Sequence, residues 1–280
     1  FPGTGGNGTA TIAASGTCNI VVTYSPVAGG VTSDTIDISF DNGITTTTSS
    51  RDVTGTGAGP ASLALSDGPT YDYGAVATTG VADKSYTLTN SGGVPALSIA
   101  GVALTAPYTF KGGTFPGTGG NCGSSLGTAS SCTIVVRFAP TANGSPSATL
   151  PANYDNGAAP VNVNIAIPGT GAPAAALTIS DGATYDYGTY ANGASIDKTF
   201  SINNGGGVTA TAVAAGGTLA APFAFKGGSF PGTGGNCGAT LNAGASCNIV
   251  VTFSPTSVTS SSSTITVNYH TGLASTSTTR

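Results

Sequence analysis

The sequence predicts an all-β protein built of tandem β-sandwich repeats of about 114 residues each. Three observations lead there. The composition contains no Glu, Gln, Met or Trp, so long flexible helix formers are nearly absent and β-branched and turn residues dominate. A long internal repeat runs through the whole chain. Within each repeat, apolar and polar residues alternate with a period of two.

The bulk properties bound the function as well as the fold. A chain of 280 residues holds two to three ordinary domains, and 39% hydrophobic residues suffice for cores. Only 6% are charged, against about a quarter in an average protein. The net charge is −4, and seven basic residues are scattered along the chain, so no patch exists to neutralise phosphates and nucleic-acid binding is excluded as a reading. No stretch approaches the ~20 apolar residues of a membrane-spanning helix.

The repeat is explicit. Phe-Pro-Gly-Thr-Gly-Gly-Asn begins at Phe1, Phe115 and Phe230. Tyr-Asp-Tyr-Gly spans Tyr71 to Gly74 and again Tyr185 to Gly188, and Gly-Thr-Gly closes at Gly57 and Gly171. This period is too long for a solenoid unit and matches one whole sandwich. The Gly, Ala and Pro clusters after Gly57 and Gly171 set the boundaries. Residues 1–57 are expected to be the C-terminal half of a domain, 58–171 a complete one, and 172–280 a domain lacking the end of its last strand. Because the pattern opens in mid-unit at Phe1, the natural chain is expected to extend further.

The strands follow from alternation. Cys132, Ile134, Val136 and Phe138 fall on one face of a strand, as do Cys247, Ile249, Val251 and Phe253, and Cys18, Ile20, Val22 and Tyr24 in the first unit. Such a pattern places one face in a core and the other in solvent. Tyr86 with Leu88, and Phe200 with Ile202, do the same in an earlier strand. About seven such segments per unit, separated by Gly, Pro, Asn and Asp, give a two-sheet sandwich.

In order, the motifs are Asn-x-Gly-Gly (Asn90 to Gly93; Asn204 to Gly207), a cysteine hairpin, Cys-x-Ile-Val-Val-x-Phe-x-Pro (Cys132 to Pro140), and a closing Gly-Thr-Gly. At Cys247 to Pro255 the same strand motif recurs. The chain resembles, over essentially its whole length, the bacterial relatives of the abnormal-spindle/hydin type of immunoglobulin-like domain, of the kind called choice-of-anchor D. The resemblance implies a large, secreted, repetitive, non-enzymatic protein with immunoglobulin-like sandwiches. It carries no shared catalytic residues.

Cysteine spacing is the strongest site signal. Cys122 and Cys132 are ten apart, as are Cys237 and Cys247, and each pair brackets a Gly/Ser/Ala-rich loop suited to a hairpin. Both pairs are expected to be disulfides within their unit, which implies an oxidising compartment. A metal site would want His or further Cys nearby, and there is none, so no metal and no cofactor is expected. Cys18 is left over, because Gly8 occupies its partner position; it is either a buried spare thiol or an intermolecular link.

The other candidate groups have ordinary structural readings. Lys84 and Lys198, and Lys111 and Lys226, sit at equivalent positions. A Lys–Asn isopeptide cross-link is not expected: Glu is absent, and Asp83 and Asp197 adjoin their lysines in sequence and so point to the opposite sheet face. Asp41 and Asp155, each followed by Asn-Gly, are hairpin-turn residues, and Asp67, Asp72, Asp181 and Asp186 suit turns better than a calcium loop, for which the acids are too sparse. Gly3 to Gly8 formally matches a dinucleotide fingerprint, but no strand–helix unit surrounds it. The single histidine, His270, occupies a turn position, so a Ser-His-Asp triad lacks its base.

The functional expectation is therefore a non-enzymatic structural protein of the cell surface or extracellular matrix: a stalk, fibre or filament. Its expected partners are copies of itself or adjacent repeats, arranged head to tail. The rival reading is an adhesin or carbohydrate-binding module, for which Tyr71, Tyr73, Tyr185 and Tyr187 would be the aromatic candidates. A catalytic domain elsewhere in a longer chain is the third.

Overall fold

The computed structural model describes residues 1–280 and contains strands, turns and one 3-10 turn at Lys226–Gly228. Residues 1–57 hold a single long hairpin, β1 (Gly30–Asp41) and β2 (Thr46–Gly57). Residues 58–171 open with β3 (Leu63–Leu65), β4 (Ala75–Ala77), β5 (Ala82–Asn90), β6 (Ala96–Gly101) and β7 (Tyr108–Phe110). They continue with β8 (Ser125–Leu126), β9 (Ser131–Phe138), β10 (Ser147–Asp155) and β11 (Pro160–Pro168), and β12 (Thr170–Ala172) crosses the boundary. The third unit contains β13 (Leu177–Ile179), β14 (Ile196–Asn204), β15 (Ala210–Ala215) and β16 (Phe223–Phe225). It closes with β17 (Thr240–Leu241), β18 (Ser246–Phe253), β19 (Thr266–His270) and β20 (Ser275–Thr279).

The second and third units are built alike. One sheet runs β3-β5-β9-β7 and faces a second of order β11-β10-β6-β8; the third unit repeats this as β13-β14-β18-β16 and β20-β19-β15-β17. In β5, Tyr86 and Leu88 are fully buried, with Asp83, Ser85 and Thr87 on the outer face. They meet Ile134, Val136 and Phe138 of β9 and, across the sandwich, Leu150, Ala152, Ile165 and Ile167. Each such side chain contributes roughly 1.5–3 kcal/mol by leaving water. The third unit forms its own core around Phe200, Ile202, Ile249, Val251 and Val267.

Two expectations need correction. β9 and β18 are not half-solvated: Val135 and Val250, on the outer face, are 5% and 6% exposed. The Phe-Pro-Gly-Thr-Gly-Gly loop lies over them. The Val135 amide donates to the Pro116 carbonyl at 2.8 Å, and the Lys111 amide donates back to the Val135 carbonyl at 2.9 Å. Gly117 is required there: its φ is +91°, and a Cβ would stand 2.1 Å from the Val135 carbonyl oxygen. The recurring heptapeptide is thus a strap across the sheet's outer face.

The second correction concerns Cys18 to Tyr24, which forms no strand. β9 is held by β5 on one edge and β7 on the other; residues 1–57 contain no counterpart of either. Only the strap persists, with the Val21 amide donating to the Pro2 carbonyl at 3.0 Å. Ile20, Val22 and Tyr24 are consequently 38%, 57% and 49% exposed, and Phe40 is 46% exposed.

Candidate functional site

The cysteine hairpins sit where the strap re-enters the sheet. Cys122 and Cys132 are bonded with their Cα atoms 4.9 Å apart, and Cys237 and Cys247 likewise at 4.9 Å. All four are buried in the two cores. Cys18 is unpaired and half-buried.

Sequence reading undervalued Asn90 and Asn204. The Asn-x-Gly-Gly motif marks a strand end, yet in the fold each asparagine is completely buried. Asn90 Oδ1 accepts from the Ser62 and Gly92 amides at 3.1 and 2.9 Å, while Nδ2 donates to the carbonyls of Val94, Leu126 and Gly127 at 3.0, 3.1 and 3.3 Å. Asn204 repeats the pattern with Ala176, Gly206, Val208 and Leu241. One amide therefore ties β3, β5, the turn after it and β8 together. The signal that could have found it was the repetition of a polar residue at the inward parity of β5, in register with Tyr86 and Leu88.

The charged residues form structural pairs. Lys84 Nζ lies 3.0 Å from Asp67 Oδ1 and 4.4 Å from the Tyr71 ring centroid; Lys198 lies 3.4 Å from Asp181 Oδ2 and 4.4 Å from Tyr185. Each lysine thus spans the core mouth with its head at water. On the outer face of β5, Asp83 receives Arg137 Nε at 2.7 Å and Lys111 Nζ at 3.0 Å. In the third unit Thr252 stands at the Arg137 position and donates to Asp197 at 2.6 Å, beside Lys226 at 2.7 Å. Asp41, Asp72, Asp155 and Asp186 each accept the amide of the glycine two residues on, at 2.8 Å. His270 Nδ1 accepts the Gly272 amide in the equivalent turn. Asp67 and Asp72 are each committed to such a partner, and no group of three or more His, Cys or Asp side chains converges as a metal centre would require.

The Arg137 guanidinium, followed by the Lys111 ammonium, holds the Asp83 carboxyl down at about 2, from an ordinary value of 3.8. A carboxyl lowered in the folded state stabilises above its unfolded value, and that contribution is lost as pH falls through the folded one. Asp83→Asn is therefore expected to lower stability by up to about 1 kcal/mol at neutral pH in low salt. The difference from the parent should shrink between pH 4 and pH 2. Thermal melts across that range check this; a gap that widens on acidification would contradict it.

The tyrosines are packing residues in the second unit. Tyr71, Tyr73 and Tyr86 meet edge to face, with centroids 5.2 and 5.8 Å apart, and the Tyr73 hydroxyl donates to the Val136 carbonyl at 3.2 Å. Burial pushes the Tyr73 phenol up to about 12. In the third unit Tyr185 is 38% exposed, beside an open cleft of about 960 Å³ lined by residues 183–192, Phe223, Phe253 and residues 257–265.

No family model and no curated protein matches the sequence. Among solved structures, the ASH/PapD-like domain 7 of human CEP192 is 12% identical, aligns with 40% of this chain and 86% of its own, and has a TM-score of 0.30. The secreted serine protease VesC from Vibrio cholerae is 14% identical over 73% of this chain and 48% of its own, with a TM-score of 0.29. The class 5 fimbriae chaperone CfaA is 11% identical over 78% of this chain and 99% of its own, with a TM-score of 0.26. The matched structures include immunoglobulin-like and PapD-like β-sandwich domains. At such scores neither the activity of VesC nor the role of CfaA bears on this chain.

Proposed function

We propose that the protein is a non-enzymatic structural repeat protein of the cell surface or extracellular matrix, in which disulfide-stapled immunoglobulin-like sandwiches of about 114 residues are strung in series as a stalk or fibre. The observation that carries this reading is that the second and third units form two separate cores on one plan, each with the same pair of four-stranded sheets and the same cysteine staple. The repeated polar features support it further. The aspartates, lysines and buried asparagines recur from unit to unit as turn caps, ion pairs and staples, which is how a module copied for length is built. The motifs point to choice-of-anchor D repeats in particular, and the disulfides to an oxidising, extracellular setting.

Small-angle scattering of the 280-residue protein tests the reading. A compact chain of this length has a radius of gyration of about 19 Å. A value well above that is expected, and a value near it would overturn the stalk. The adhesin reading is weakened by the packing of Tyr71 and Tyr73 into the second core. Saturable binding on a glycan array would restore it.

A further inference from the structure

The second and third sandwiches are joined without a free linker. β12 pairs parallel with β4 of the second unit. Its Thr170 amide donates to the Gly74 carbonyl at 2.9 Å, and its Ala172 carbonyl accepts the Thr78 amide at 2.8 Å. One residue on, the Pro173 carbonyl accepts the Gly207 amide of the third unit at 2.9 Å, and the Ala175 amide donates to the Thr271 carbonyl at 2.9 Å. The bonds to the two sandwiches thus meet across a single peptide link, and the Pro173 ring fixes the φ on its far side. The ring is closely backed as well: a Cβ on Gly207 would stand 2.6 Å from Pro173 Cδ and 2.9 Å from Ala172 Cβ.

A side chain of the second sandwich also enters the third. Ala77, at the end of β4, is 2% exposed and is buried with Ala172, Val208 and the other core residues of the third unit. The turn from Ala77 to Gly80 lies against the turn from Thr271 to Leu273. A Cβ on Gly272 would lie 3.3 Å from Ala77 Cβ and 3.2 Å from a Val208 methyl, and one on Gly80 would lie 3.1 Å from Leu273 Cδ2. The Ala77 turn is held from behind too, since the Thr79 amide donates to the Pro140 carbonyl at 2.8 Å and the Gly80 amide to the Ala77 carbonyl at 2.8 Å. Thr79 has a φ of +71°, a region that β-branched residues rarely enter. Such a conformation persists only where the surroundings over-determine it.

We infer that this joint is a lock, with the Ala77 turn as plug and the Val208, Gly272 and Leu273 edge as socket, so that the two sandwiches hold one fixed angle. Domains that share a small contact ordinarily move relative to one another. The apolar contact here is small, so area does not hold it. Main-chain bonds on both sides of one peptide link do, and the plug blocks the rotation that remains about that link. The plug has to be small, because Ala77 is enclosed and faces a glycine. Ala77 therefore decides whether one repeat docks on the next. The lock does not depend on the stalk reading, since two locked sandwiches fit a compact chain equally well.

Residual dipolar couplings of the isotopically labelled 280-residue protein test this. Amides of β5, β9 and β10 and those of β14, β18 and β19 are expected to share one alignment tensor. Ala77→Arg is expected to abolish the common tensor while the core signals of Tyr86 and Phe200 stay in place. Gly80→Val attacks the same contact from outside the core. Ala194 stands at that position in the third sandwich and donates its amide to the Ala191 carbonyl at 3.0 Å in the same kind of turn, so the turn itself accepts a side chain. Loss of the common tensor in either folded variant supports the lock. Separate tensors in the parent protein, or a common tensor that survives both substitutions, would overturn it. A compact radius of gyration together with a common tensor would remove the stalk and leave the lock standing.

Discussion

Alanine in place of Asn90 is expected to lower the stability of the second sandwich by about 3 kcal/mol, because it removes the one partner shared by the buried Leu126 carbonyl, the part-buried carbonyls of Val94 and Gly127, and the part-buried amides of Ser62 and Gly92. Each stranded group costs roughly 1–3 kcal/mol, and only some can rescue themselves. Against a net stability of roughly 5–15 kcal/mol the change is severe. Aspartate makes the sharper test. It preserves the two bonds accepted by Oδ1 and turns the other end into an oxygen facing the carbonyls of Val94, Leu126 and Gly127. Asn90→Asp is therefore expected to be at least as damaging as Asn90→Ala at neutral pH, although it is nearly isosteric. Calorimetric melts of the two variants, with Asn204→Ala as the equivalent lesion in the third sandwich, measure this. A mild Asn90→Asp would show that shape and not hydrogen bonding makes the site.

Reduction of the disulfides is the second large effect. Each closes a loop with a sequence separation of 10. In the chain-entropy account, a loop of that length stabilises the folded state by about 3 kcal/mol. For a domain of about 100 residues that corresponds to a fall in Tm of more than about 10 °C. Reductant, or the paired change Cys122→Ala with Cys132→Ala, is expected to shift the melting of the second sandwich by this amount, and the Cys237–Cys247 pair to do the same for the third. Coincident melts with and without reductant would contradict the prediction. Cys18 lies outside both staples, so Cys18→Ser should leave these shifts unchanged.

Much of the fold was legible because its information is local. Alternation at Cys132, Ile134, Val136 and Phe138 states which side chains face inward, and Asp-Asn-Gly at Asp41 and Asp155 states where a hairpin turns; both depend only on neighbours in sequence. Repetition did the rest, since equal spacing of the cysteines in two copies singles out partners within a unit. The readings that failed were those resting on distant segments. Cys18 to Tyr24 has the same alternation as β9, yet a strand is defined by its neighbours, and none is present within residues 1–57. Val135 and Val250 looked solvent-facing because the strap that covers them comes from some twenty residues upstream.

The sequence alone determined the all-β class of fold, the two cysteine pairs and the inward side chains of β5, β9, β14 and β18, because each is a matter of side-chain chemistry repeated at fixed spacing. Tertiary structure alone decided the rest: that Asn90 is a five-bonded hub, and that the glycine-rich heptapeptide is a strap over the outer face of β9 and β18. These depend on backbone groups far apart in the chain meeting in space. Such groups are chemically alike at every residue, so nothing in the local sequence distinguishes the ones that find partners from the ones left open.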